Sequence, residues 1–214
     1  MSVIAPAILV DTPEAYKASV DRYHSFAQRV HIDLCDGEFT PSFTVGVDQM
    51  WWPQEWQVDI HAMVARPMEY VDSLIGLKPS LIIFHVEAVA DIVPVLKQVK
   101  RAGIKAGIAL QRPTVPATVE EAIKEADHVM VFTGTLGQYG GTASLMQLEK
   151  VRLIKAINPS VEIGWDGGVN ADNAYTLRQG GVDVLNVGGA IANAAEPGAV
   201  YATLVSEINK HGVI

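Results

Sequence analysis

The 214-residue sequence contains a single cysteine, Cys35, so no disulfide can form within the chain. It has no apolar run of about 18 residues or more, which argues against a membrane-spanning helix. There is also no charged-then-apolar leader, and a soluble cytoplasmic protein with no membrane partner is the expectation. Basic residues are scarce beside acidic ones, 16 Lys+Arg against 24 Asp+Glu, for a net charge of -8. That balance argues against a nucleic-acid partner while leaving room for a local phosphate site. Low-complexity segments and sequence repeats are absent. Hydrophobic residues are plentiful, at 49% against 19% charged, enough to bury a large core in one domain spanning 1-214.

Along the chain the apolar pattern alternates between strand and helix periods. Strands are expected at Val3 to Leu9, around His31 and Asp33, Val58 to Val64, Leu81 to His85, Lys105 to Leu110, His128 to Phe132, Val161 to Trp165 and Val182 to Val187. Asp11-Thr12-Pro13-Glu14 reads as a helix start, with a cap candidate, a first-turn proline and an acidic residue, and that helix is expected to reach about Ala27. Further helices are expected from Pro67 to near Gly76, after Ala90 to a stop at Gly103, Val119 to Ala126, Ser144 to Ile157, Ala171 to Gln179 and after Pro197. A loop and short helix holding Trp51, Trp52 and Trp56 fill the second connection. Eight strands mostly followed by helices, with no interdomain linker, point to an α/β fold of the (β/α)8 TIM-barrel type.

Chemistry concentrates in Val30-His31-Ile32-Asp33-Leu34-Cys35-Asp36-Gly37. Successive strand side chains point to opposite faces, so His31, Asp33 and Cys35 share one face and Ile32 and Leu34 the other. Burying an imidazole beside a carboxylate is costly unless the pair is hydrogen-bonded or holds a metal. Asp59-Ile60-His61-Ala62-Met63 repeats the spacing, and Ile163-Gly164-Trp165-Asp166-Gly167-Gly168 ends a late strand. In a barrel all three strand ends meet at one face, where active sites are built.

These motifs resemble the ribulose-phosphate 3-epimerase family, whose His-x-Asp-x-Met-Asp-Gly-x-Phe-x-Pro pattern is similar to His31 through Pro41. Asp59 to Val64, Phe84-His85-Val86-Glu87-Ala88, Gly107 to Leu110 and Asp166-Gly167-Gly168-Val169-Asn170 follow in family order. Orotidine-phosphate decarboxylases differ, because their Asp-x-Lys-x-x-Asp signature needs a lysine that Asp33-Leu34-Cys35-Asp36 lacks. The resemblance implies proton transfer at C3 of a small-molecule ketose phosphate, with Asp33 and Asp166 as the two catalytic acid-base groups. It also implies one divalent ion, Zn²⁺, Fe²⁺, Mn²⁺ or Co²⁺, held by His31, Asp33, His61 and Asp166. Met63 corresponds to a family methionine beside the metal, although a core methionine is the common case. Cys35 and Phe132 stand where the family has methionines, and packing is the simplest role for both, the alternative being a Cys35 that points at the ion and alters metal preference. His85 and Glu87 are read as groups behind the ligands or as structural residues.

Phosphate recognition departs most from the family. Its loop after strand six, Pro-Gly-Phe-Gly-Gly-Gln, is here Leu136-Gly137-Gln138-Tyr139-Gly140-Gly141-Thr142, without the proline and one residue longer. Gly137, Gly140, Gly141, Gly167, Gly168, Gly188 and Gly189 are expected to bring backbone N–H groups to a phosphate. Gly-Ser after strand eight is Gly188-Gly189, and the lost hydroxyl removes one hydrogen bond to a charged group, worth roughly 1.5 to 3 kcal/mol. Ala7 likewise replaces a substrate-facing serine, leaving Ala7, His61 and Met63 as substrate contacts. Arg112, in Gln111-Arg112-Pro113-Thr114, is either a cation for an anionic substrate or a solvent-facing arginine. The three tryptophans supply a face for a second subunit, a wall of the mouth, or ordinary packing; a homo-oligomer is expected. Two rival functions stand beside the ketose-phosphate epimerase: an epimerase of another or unphosphorylated ketose, and a sugar-binding barrel without turnover.

Overall fold

The computed structural model describes residues 2-88 and 91-210. Eight parallel strands close into a barrel in sequence order, with β1 (Val3–Ile8) paired to both β2 (Arg29–Cys35) and β8 (Val184–Val187). Between them run β3 (Gln57–Met63), β4 (Leu81–His85), β5 (Lys105–Leu110), β6 (His128–Phe132) and β7 (Glu162–Asp166). The expected (β/α)8 TIM barrel is the fold observed. Among the described residues no helix is long and apolar enough to cross a membrane.

Around the barrel lie α1 (Pro13–Tyr23), α2 (Pro67–Gly76), α3 (Ile92–Arg101), α4 (Glu120–Glu125), α5 (Leu148–Ile157), α6 (Ala171–Gln179), α7 (Gly189–Ala192) and α8 (Pro197–Ile208). Thr12 caps α1, its side chain accepting from the Ala15 N–H at 3.3 Å, and Pro13 fills the first helical turn. In α3 the buried residues Ile92, Val95, Leu96 and Val99 fall on one stripe, the spacing that seats a helix on a sheet. Gly103 follows at φ 78°, where a left-handed residue ends the element cheaply.

Several boundaries differ from the sequence expectation. The first helix ends at Tyr23 rather than Ala27. The expected 119-126 helix splits into a 3₁₀ turn, Pro116–Val119, and α4. A second turn, Leu145–Gln147, precedes α5 where one helix from Ser144 was expected. The short helix between β2 and β3 is Val47–Gln49, and the three tryptophans lie after it. Trp52 precedes Pro53, which biases it toward extended backbone. Trp56 is buried in the core, while Trp51 is 46% exposed with its ring edge-on to Tyr16 at 6.3 Å. Ala90, before the expected third helix, lies outside the described residues.

Strand alternation divides the packing in two. Outward residues such as Ile32, Leu34, Ile60, Phe84 and Trp165 join the main core between sheet and helices. Inward residues fill the barrel: one side carries a small apolar cluster of Leu81, Ile83, Ala109, Met130 and Phe132. The amino-terminal floor is ionic. Arg29, 7% exposed, donates from Nε to Asp59 Oδ2 at 2.6 Å and from Nη1 and Nη2 to the two Glu162 oxygens at 2.9 and 2.8 Å. His128 Nδ1 lies 2.8 Å from Glu162 Oε2 on the other side.

Candidate active site

At the opposite, carboxyl end of the barrel four polar side chains converge. His31 and Asp33 project inward from β2, the register sets His61 of β3 beside Asp33, and Asp166 closes β7. One ligand-type atom from each lies within 4.8 Å of all the others. Asp33 Oδ1 is 2.8 Å from His61 Nδ1 and 3.3 Å from His31 Nε2, and Asp166 Oδ2 is 3.8 Å from each of those nitrogens. Ligands bonded at about 2.0–2.2 Å to a tetrahedral ion sit about 3.3–3.6 Å apart, inside the observed spread. His31 is fully buried and neither ring nitrogen makes a hydrogen bond. Burying an unpaired imidazole is costly, and a cation at the centre of the cluster gives Nε2 the partner it lacks. These residues therefore fit a divalent ion.

The two carboxyl groups are pulled in opposite directions. Burial raises Asp33, but His31 and His61 outweigh it and hold the carboxyl at about 2. Burial also raises Asp166, and there the Asp33 charge adds to it against the two histidines, so the net direction is upward. For His31 burial is outweighed by Asp33, Asp166 and Asp59, which favour the imidazolium.

Behind the cluster, His61 Nε2 is 2.9 Å from His85 Nε2, and His85 Nδ1 is 3.1 Å from Glu87 Oε2. The other Glu87 oxygen accepts the Gln111 N–H at 2.8 Å and the Thr114 hydroxyl. Phe39 lies tilted against the His85 ring at 5.0 Å and Phe132 meets it edge-on at 5.4 Å. Burial, with the nearby His61, outweighs Glu87 and leaves His85 neutral, at about 4. Burial raises Glu87, but bonds from His85, Thr114 and Gln111 outweigh it and hold it below the usual carboxylate range.

A cavity of about 240 Å³ opens over the cluster, with Asp33 and Asp166 in its wall. Ala7, Met63, Phe132, Gly137, Gly140, Gly141, Gly167, Gly168, Gly188 and Gly189 also line it, while His31 and His61 lie buried beneath. Two of these glycines are obligatory. A Cβ on Gly167, at φ 108°, would stand 2.1 Å from Gly134 N, and one on Gly168, at φ 72°, 2.1 Å from Ala143 N. The loop after β6 thus rests directly on the turn after β7.

Other sequence candidates sit elsewhere. Cys35 is buried outside the four-residue cluster, and burial, with Asp33 and Asp36 adding, pushes its thiol up to about 12. Arg112 is absent from this cavity. Its Nη2 donates to Thr133 O and, at 3.3 Å, to Thr142 O, bracing both ends of the loop after β6. None of Trp51, Trp52 and Trp56 lines the cavity.

Two cavity residues were not anticipated. The Tyr139 hydroxyl accepts the Leu9 N–H at 2.6 Å and donates to Ala7 O at 3.1 Å, tying the loop after β6 to the end of β1. Gly188 makes room for its ring, since a Cβ there would stand 2.7 Å from Tyr139 Cδ1. The signal available was a paired change: a hydroxyl missing at Ala7 and one gained where the family loop has phenylalanine. Asn186, on β8, is 1% exposed; its Nδ2 meets Met130 Sδ at 3.1 Å and its Oδ1 has no hydrogen-bond partner.

A model of the Ribulose-phosphate 3 epimerase family matches residues 3–192. The ribulose-phosphate 3-epimerase of Aquifex aeolicus is 28% identical over 92% of both chains. The cytoplasmic isoform from Oryza sativa subsp. japonica is 30% identical over 94% of this chain and 92% of its own. Among solved structures, the 3-hexulose-6-phosphate synthase of Salmonella typhimurium superposes with a TM-score of 0.76 at 17% identity, covering 98% of this chain and 100% of that one, a likeness of fold alone. Together these findings define a (β/α)8-barrel isomerase of the epimerase class. The chain belongs to the ribulose-phosphate 3-epimerase family.

Proposed function

We propose that the protein is a metal-dependent ketose-phosphate 3-epimerase that interconverts D-ribulose 5-phosphate and D-xylulose 5-phosphate by two-aspartate proton transfer. The observation that carries this reading is the convergence of Asp33 and Asp166, from strands β2 and β7, on one cavity above two buried histidines. Inverting C3 requires a proton to leave one face of the substrate and another to arrive on the opposite face. Each aspartate contributes one oxygen to the cluster, Asp33 Oδ1 and Asp166 Oδ2, which leaves its second oxygen for the substrate. The two aspartates divide the work, one taking the C3 proton from one face while the other returns a proton to the opposite face. Their roles exchange in reverse. A divalent ion held by His31, Asp33, His61 and Asp166 supplies Lewis-acid stabilisation of the negative charge that develops on the ketose oxygens. Met63 and Phe132 present apolar surface to the same space and limit water around the enediolate.

For the phosphate, the reading rests on the glycine turns after β6, β7 and β8, where barrels commonly bind this group. One observation favours the second reading, an epimerase of a differently phosphorylated or free ketose: no lysine or arginine lines the cavity among the described residues. Deuterium uptake separates the two. Metal-loaded protein in D₂O is expected to label C3 of ribulose 5-phosphate, followed by NMR, ahead of other ketose phosphates and free ketoses. Label in free ketoses alone would replace the phosphate reading with the second. No label in any ketose would leave a binding protein.

A further inference from the structure

We propose that Tyr139 is a positioning residue that latches the loop after β6 over the cavity, through hydrogen bonds from its hydroxyl to the backbone of Leu9 and Ala7. The inference deepens the ketose-phosphate reading above and rests on it for the ligand that the latched loop receives.

Strands β7 and β8 lie between β6 and β1 in the barrel, so any contact from the loop after β6 to the end of β1 spans the turns after both. Tyr139 makes that contact. Its hydroxyl accepts the Leu9 N–H at 2.6 Å and donates its one hydrogen to Ala7 O at 3.1 Å. A phenol carries one hydrogen and acceptor lone pairs, so both bonds can stand together. On the way the loop seats on the turn after β8: a Cβ on Gly188 would stand 2.7 Å from Tyr139 Cδ1, and one on Gly189 3.5 Å from Gly140 N. Arg112 braces the two ends of the loop, at Thr133 O and Thr142 O, and Tyr139 ties down its middle. Every one of these contacts is made within the protein, so the latch needs no ligand to form.

Closure without the hydroxyl is costly. An N–H has one hydrogen to give, and with a bare ring over it Leu9 N–H would have no partner until the ring lifted and water replaced the hydroxyl. The ring is also a wall. It lines the cavity over the cluster on one side and, on the other, a cleft of about 540 Å³ bounded by Leu9, Val10, Ser42 and Phe43. Lifting it joins the two spaces and carries Gly140 and Gly141, assigned above to the phosphate, away from the turns after β7 and β8. A site that holds its competent form for only part of the time binds more weakly in proportion. Tyr139 therefore governs affinity for the substrate rather than the proton transfer itself.

Tyr139→Phe tests this, because it removes the hydroxyl and keeps the ring. In substrate-free protein, amide hydrogen exchange read by NMR is expected to show Leu9 protected in the wild type. In the variant that amide should exchange about tenfold faster, with the loop amides of 134-142 following and those of β3, β4 and β5 unchanged. With ribulose 5-phosphate, KM is expected to rise about tenfold while kcat stays within about twofold of wild type, the split that marks lost binding rather than lost chemistry. A tyrosine that only packs would instead speed exchange throughout the barrel and leave KM where it was. Unchanged Leu9 exchange or unchanged KM in an active Tyr139→Phe would overturn the latch and leave the epimerase reading standing. A wild type that does not turn over ribulose 5-phosphate would overturn the ketose-phosphate reading, and with it the ligand assigned to the latched loop. Should the variant not fold, the wild type decides alone: a Leu9 amide exchanging as fast as in an open chain refutes the proposal, and a protected one sustains it.

Discussion

Asp33→Asn and Asp166→Asn are each expected to lower kcat for C3 epimerisation by about 10²- to 10⁴-fold, the usual contribution of a positioned acid-base group. Asparagine keeps the size and hydrogen-bonding reach of the aspartate but cannot carry a proton between substrate and solvent. Both side chains sit in the cavity wall rather than in the packed core, at 8% and 16% side-chain exposure, so the fold should survive the change. The two variants are not equivalent in the free protein. Asp33 is hydrogen-bonded to His61 and close to His31, whereas Asp166 keeps 3.8 Å from both, so Asp33→Asn should also cost more metal affinity. Steady-state kinetics at saturating metal separates the effects. Substantial turnover in either variant at saturating metal would remove that aspartate from the reaction.

The second large effect is on stability and lies at the other end of the barrel. Arg29→Met is expected to destabilise the protein by about 3–5 kcal/mol, because it leaves Asp59 and Glu162 facing each other without their shared cation. For a chain of this size that corresponds to a fall in Tm on the order of 10 °C. Against burial, Arg29 and His128 hold the Glu162 carboxyl well below the ordinary range. A depressed folded value contributes stability above the unfolded pKa and loses it as pH falls through the folded one. The wild type should therefore keep this contribution at neutral pH and lose it only in strong acid, and Arg29→Met should flatten the acid limb of a Tm-against-pH curve. A Tm within a degree or so of wild type would show that the floor network adds little.

The chemistry was legible where strand geometry decides position. Alternation put His31 and Asp33 on one face, and chain order through a barrel brought His61 and Asp166 to the same end, but it brought His85 there too, and only the family resemblance singled out the four as a ligand set. Loops gave no such rule. Tyr139 reaches the end of β1 because of the path taken between Thr133 and Thr142, which no period encodes, and Arg112 braces that path. His85 ends β4 and Glu87 lies beyond it, so alternation reaches the imidazole but not the carboxylate 3.1 Å from it. Helix α7 has four residues, Gly189–Ala192, too few to show a helical period. The tryptophan segment failed for a local reason: an apolar cluster suggested a helix, but Trp52-Pro53 favours extended chain and burial of Trp56 anchors it.

The most direct test asks whether one carboxyl serves each face of the substrate. Each aspartate variant, metal-loaded in D₂O, is given ribulose 5-phosphate and xylulose 5-phosphate separately, and C3 deuterium and inversion are read by NMR. With an acid-base group on each face, each variant should exchange the C3 hydrogen of one epimer only, the opposite one in the two variants, with little inversion in either. Exchange of both epimers by one variant, or inversion at near wild-type rates, would contradict the two-aspartate account.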